Sequence, residues 1–186
     1  MALGISPFIM QATESAISIV LNRGLSMYGG DLYVGSMTIL QSVMQLIVIP
    51  VQGFTQGVQP IISYNFGARK FDRVKKTYRM TICFTFAVAT FLCILTLFFP
   101  GLFAGIFTTD QELIALVKKV MPIFMAGIAV FGIQMGCQTT FMGLGQAKIS
   151  LFIALLRKVI LLIPLALILP KFFGVMGIYY AEPISD

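Results

Sequence analysis

The sequence contains no histidine and no tryptophan, and only three cysteines in 186 residues. Without histidine, zinc sites of the usual Cys/His kind are excluded, as is any serine–histidine or metalloprotease constellation. Cys83, Cys93 and Cys137 are odd in number, lie within apolar runs and form no Cys-x-x-Cys pair, so no disulfide framework is indicated. They are expected to be buried thiols. No Walker sequence is present, so the chain does not hydrolyse nucleotide itself. Paired carboxylates at catalytic spacing are also missing, because Asp110 and Glu112 fit a helix cap. The expectation is a protein that is not an enzyme and needs no cofactor.

Charge is scarce as well. Charged residues make up 11% of the chain and hydrophobic ones 58%, against about 25% charged in an average soluble domain. Apolar runs bounded by charge clusters recur along the whole length, the mark of an integral membrane protein with several spans. Seventeen phenylalanines and eleven methionines supply adaptable surface for lipid contact and helix packing. The net charge is +6, but six of the thirteen cations fall between Arg69 and Arg79, beside apolar runs. That distribution fits the positive-inside rule, with the lipid bilayer rather than nucleic acid as the partner.

A helix needs about 20 mainly apolar residues to cross the hydrocarbon core. Five stretches qualify, at roughly 5–28, 33–65, 80–100, 113–142 and 148–170, and a sixth begins near Gly174 and stops mid-pattern. The fold class is therefore all-α, a polytopic bundle of about five complete spans plus the start of another, with residues 1–186 forming one lobe. The segment MALGISPFIMQ lacks a basic region and a cleavage site and is not expected to act as a signal peptide. The second and fourth stretches run long, so tilt or bending is expected, with Pro50 and Pro60 as causes in the second. Thr109-Asp-Gln-Glu112 matches a capping box with Thr109 as the N-cap, opening the fourth span. If loop 67–79 is cytoplasmic, seven cations including Lys148 lie inside. Arg23, Lys118, Lys119 and Lys171 then lie outside, and Arg157 and Lys158 sit deeper in the fifth span.

Polar residues inside these spans fall into register. At about 100° per residue, Gln41, Gln45, Gln52, Gln56, Gln59 and Ser63 occupy one stripe about 60° wide. A stripe facing lipid would strand amides at several kcal/mol each, so it must face other helices or water. The first span repeats the pattern with Gln11, Glu14, Ser15, Ser18 and Asn22 inside an arc of about 100°, and the fourth adds Gln134 and Gln138 one turn apart. Two readings stay open: interhelical hydrogen bonding that glues the bundle, or a water-accessible cavity lined by Gln11, Ser18, Asn22, Gln41, Gln45, Gln134 and Gln138. Glu14 lies deep in an apolar span, where a carboxylate by default marks a proton or ion site. Burial raises a carboxyl pKa and allows proton exchange, and neighbouring oxygens would suit a hard cation. The alternative is an ion pair with Arg157; Arg23 is about 13 Å away along the helix. The spacings Gly53-x-x-x-Gly57 and Gly132-x-x-x-Gly136 suit close helix contact.

Several motifs occur together in order: QPIISYNFGARKFDRVKK at 59–76, FTTDQE at 107–112, FMGLGQAK at 141–148, RKVILLIP at 157–164 and AEPISD at 181–186. In these the chain resembles the multidrug and toxic compound extrusion (MATE) family, nearest its bacterial MepA-like branch, over nearly its whole length. The resemblance implies a C-terminal lobe whose partner is a missing N-terminal lobe of the same chain. It also implies export of cationic or amphipathic small-molecule drugs in exchange for protons or sodium, by alternating access in a bacterial inner membrane. It places Glu14 at the acidic residue that NorM-type members use for cation coupling. Their second acidic residue, on the fourth helix, has no counterpart, since that region carries Phe131, Gln134 and Gln138. The stripes themselves, neutral amides plus one acid, favour cationic cargo over a lipid-linked oligosaccharide, whose flippase of similar architecture would need cationic walls. A membrane scaffold without transport is the third reading, and requires stripes fully satisfied by interhelical bonds.

Overall fold

The computed structural model describes residues 2–185, apart from the side chains of residues 2–7, 9–11, 14, 20, 28, 147, 157 and 158. Among the described residues there is no strand. The helices run in the order α1 (Ala2–Gly29), α2 (Asp31–Gly67), α3 (Phe71–Phe98), α4 (Pro100–Phe107), α5 (Gln111–Met125), α6 (Ile128–Gly143) and α7 (Ala147–Leu155). A π-helical stretch, Leu156–Leu162, continues α7 into α8 (Ile163–Phe173), and α9 (Met176–Ser185) follows. Asp31–Gly67, Phe71–Phe98 and Lys148–Phe173 are each long and apolar enough to cross a membrane, and α5 with α6 adds a fourth span if the bent pair counts as one. The protein is an all-helical membrane bundle.

The helix boundaries follow from local chemistry. A single glycine, Gly30 at φ 76°, separates α1 from α2, and Asp31 places a negative charge at the positive end of the α2 dipole. Pro50 and Pro60 lie inside α2 without breaking it. The third helix begins at Phe71, inside the basic segment 67–79 and ahead of the apolar stretch from 80, because lysine and arginine are good helix formers and Asp72 favours the first turn. It stops before Pro100, which disfavours helical backbone in the residue preceding it and then starts α4 at the first helical position. The cap of α5 is Asp110, not Thr109: the Asp110 carboxylate accepts the Glu112 amide at 2.9 Å, while Thr108 Oγ1 accepts the Asp110 amide at 3.2 Å. Asp110 has the shorter reach to the first free amides, and its charge also favours the dipole.

Of the two long stretches expected to tilt or bend, the fourth is broken into two helices. α5 and α6 meet at 48° across Ala126 and Gly127. Pro122 removes one backbone donor just upstream, and the Cys93 thiol donates to the Met125 carbonyl at 3.3 Å, satisfying an acceptor at the open end of α5. Of the three cysteines, Cys93 is buried, Cys137 half-buried and Cys83 exposed, and all three are free thiols. Cys83 departs from the expectation because the buried face of α3 runs through Thr81, Thr85, Ala89 and Cys93, leaving Cys83 on the opposite side.

One continuous core joins the helices. It includes Leu21 and Leu25 from α1, Met37, Leu40 and Val43 from α2, Val117 and Met121 from α5, and Ile178 and Tyr179 from α9. A smaller cluster of Val58, Ile62 and Val74 closes the α2–α3 corner. α9 is tied back to the start of α2 by the fully buried Tyr179, whose hydroxyl meets Ser36 Oγ and donates to the Tyr33 carbonyl at 3.2 Å.

Candidate functional site

The hydroxyls in these spans are mostly self-contained. Ser42 donates to Thr38 O, Thr81 to Thr77 O, Thr139 to Met135 O and Thr140 to Gly136 O, all within one turn of the same helix. Such residues satisfy themselves and call for neither water nor a partner helix. Amides on longer side chains behave differently, and α2 separates the two kinds.

The buried face of α2 runs through Val43, Ile47, Val51, Thr55, Val58 and Ile62. The glutamine stripe lies outside it: Gln45, Gln52 and Gln56 are exposed, and Gln41 and Gln59 are half-buried at the margin. Ser63, the last member of the stripe, donates to the Gly143 carbonyl at 2.8 Å and so joins the end of α2 to the end of α6. Gln45, Gln52 and Gln56 therefore stand on the surface of the bundle, while Ser63 at the end of the stripe holds α2 to α6.

α6 presents its amides to a different neighbour. Gln134 and Gln138 are half-buried and share a recess of about 30 Å³ with Cys137, Phe141, Ser150 and Ile153, between α6 and α7. Ser150 is 1% exposed, and its Oγ has no hydrogen-bond partner among the described residues. The sequence gives no signal for this hydroxyl, which sits alone in an apolar run. On α1, Ser18 and Asn22 are half-buried, and Asn22 Oδ1 likewise has no partner among the described residues. The side chains of Gln11 and Glu14 lie outside the described residues.

The helices bearing these groups are neighbours. α1 packs on α2 and α7, and α6 packs on the same two helices, so α1, α2, α6 and α7 close a four-membered ring. Gln134, Gln138 and Ser150 are brought together in one recess; Gln45, Gln52 and Gln56 are set apart from it on the exposed face of α2. No group of three or more Cys, Asp or Glu side chains that could hold a metal ion occurs among the described residues. Glu182, on α9, is buried and engaged in an interaction.

Comparison with known proteins places this arrangement. The MatE family profile matches residues 7–168. The multidrug export protein MepA of Staphylococcus aureus (strain N315) is 28% identical over 185 residues, which is 99% of this chain and 40% of that protein. Among solved structures, the MATE multidrug transporter DinF-BH, in a ligand complex, is 32% identical with a TM-score of 0.86, covering 100% of this chain and 42% of that one. An outward-facing MATE family multidrug resistance transporter of the MOP superfamily gives a TM-score of 0.90 at 18% identity, covering 98% of this chain and 41% of that one. The chain thus spans about two fifths of the length of the relatives it matches.

Proposed function

The chain belongs to the MatE family, and from that premise we propose that it forms the C-terminal lobe of a secondary active multidrug efflux transporter. The observation that carries this reading is the glutamine stripe, exposed on α2 while the hydroxyls around it are satisfied within their own helices. In a two-lobe transporter that surface becomes one wall of a central, water-accessible cavity, facing an N-terminal lobe of the same protein. A coverage of 40% of the MepA relatives supports a half-molecule reading.

The stripe on α2 has no formal charge, so its amides solvate a passing molecule without fixing a counter-ion. This suits cationic or amphipathic drugs in a bacterial cytoplasmic membrane, with loop 67–79 on the cytoplasmic side. It does not suit a lipid-linked oligosaccharide, whose pyrophosphate would require cations along the wall. Gln11, Ser18, Asn22, Gln41, Gln45, Gln134 and Gln138 line the path in this proposal, and Glu14 couples transport to a proton or sodium gradient.

The mechanism asks little chemistry of the protein. Charge on Glu14 in an apolar span is costly, so the residue takes up a proton or holds a cation, and the site's affinity changes as the lobes rock. The test is Glu14→Gln in the full-length transporter, reconstituted in vesicles loaded with a fluorescent cationic dye under an imposed pH or sodium gradient. Gradient-driven efflux should be lost while the yield of folded protein stays the same. Unchanged efflux would remove Glu14 from the mechanism.

A further inference from the structure

The α2–α3 corner concentrates charge without neutralising it. Arg69, Lys70, Arg73, Lys75, Lys76 and Arg79 stand against a single anion, Asp72. All six cations are exposed, and none makes an ion pair among the described residues. Val74 and Thr81 mark the buried side of α3 here. At about 100° per residue, Lys75, Lys76 and Arg79 lie on the opposite side within an arc of about 100°. The basic face is therefore directed away from the bundle.

Its depth follows from helix length. α3 has 28 residues, about 42 Å at ~1.5 Å per residue. Residues 80–98 alone account for about 28 Å, close to the roughly 30 Å of a hydrocarbon core. Residues 71–79 consequently stand in the headgroup layer, where phosphates are. At the same corner Phe66 and Phe71 pack edge to face, with centroids 6.0 Å apart, and both remain exposed.

We propose that this corner is a binding surface for anionic phospholipids. Its cations meet the phosphodiester oxygens of the headgroups. Arginine supplies a planar fork that matches phosphate in two hydrogen bonds, and Arg69 and Arg73 are placed to use it. The inference depends on the chain being a membrane bundle and holds whatever the transporter carries or exchanges.

The test uses the full-length protein in detergent, titrated with phosphatidylglycerol or phosphatidylcholine, with retained lipid counted by native mass spectrometry. Phosphatidylglycerol should be retained preferentially, and added salt should weaken it. The variant R69Q/R73Q/K76Q should bind it on the order of a hundredfold more weakly, at roughly fivefold per cation. The control K118Q/K119Q removes two equally exposed cations from α5 and should behave as the parent. Equal retention of the two lipids, or the same loss in both variants, would overturn the proposal. Soluble polyglutamate binding as tightly as phosphatidylglycerol would also overturn it, in favour of an acidic polypeptide. Dye efflux is not the readout, so failure here leaves the transport reading intact.

Discussion

Arg69 occupies at the end of α2 the left-handed position that Gly145 occupies at the end of α6. Arg69 has φ 57° and Gly145 φ 77°. In each case the next residue's amide closes the last turn, Lys70 onto the Asn65 carbonyl and Gln146 onto the Phe141 carbonyl, both at 2.9 Å. The two helices end in the same Schellman arrangement, and the ends touch through Ser63 and Gly143. Glycine fits such a position freely, whereas an arginine there carries strain of about 1–2 kcal/mol.

Arg69→Gly should therefore leave the fold intact and raise stability by up to about 1 kcal/mol, the relieved strain exceeding the added freedom of the unfolded chain. Gly145→Ala should lower it by a similar amount. Thermal unfolding of the full-length protein in detergent measures both. A destabilised Arg69→Gly would mean that the side chain holds the corner together.

α6 packs tightly on α3 at Gly132, where an added Cβ would lie 2.7 Å from the Ala89 Cβ and 2.8 Å from the Thr85 carbonyl oxygen. Backbone cannot step aside as a side chain can. At Gly136 the nearest atoms are the Ile82 Cδ1 at 2.9 Å and the Thr85 Oγ1 at 3.0 Å, both at the ends of side chains. Gly132→Ala should cost about 1–3 kcal/mol by overpacking, and Gly136→Ala clearly less. Equal losses in detergent unfolding would show that the α3–α6 contact relaxes as a unit.

What the sequence made legible depended on how local the cause was. Apolar runs are readable because bilayer thickness sets their length, and the phase of Gln41, Gln45, Gln52 and Gln56 is readable because helical geometry is fixed. The length of the fourth stretch predicted tilt or bending, but the position of its break at Ala126 and Gly127 was not readable. Pro50 and Pro60 lie within one continuous helix, while the fourth span breaks where the Cys93 thiol from α3 satisfies Met125 O. Ser150 was equally hidden. A hydroxyl in an apolar helix ordinarily bonds its own backbone, as Thr139 and Thr140 do, and only the folded chain reveals that this one does not.

That hydroxyl makes its own prediction. A recess of about 30 Å³ is large enough for one water molecule, and polar groups at its wall are what retain one. A high-resolution structure of the full-length protein should show a single ordered water on Ser150 Oγ. Ser150→Ala should then cost about 1 kcal/mol by removing one of that water's partners. A dry recess, with Ser150→Ala neutral or stabilising, would assign the hydroxyl no role.

The stripe on α2 separates stability from transport. Gln45, Gln52 and Gln56 are exposed, and substitutions at such positions ordinarily change stability by no more than about 0.5 kcal/mol. Replacing all three with leucine, close in size but without amides, should leave the lobe folded with an unchanged melting temperature. An apolar wall would no longer hydrate a polar cargo, so efflux of a cationic dye by the full-length protein should fall severalfold or more. The converse change, glutamine at Leu46, Ile49 and Ile61 on the neighbouring exposed apolar arc of α2, should harm membrane insertion before it harms transport, because that arc meets lipid. A triple leucine variant that exports normally would mean the amides face neither cargo nor water. The α2 surface would then belong to the contact between lobes, and the transport path would have to run along α1 and α6.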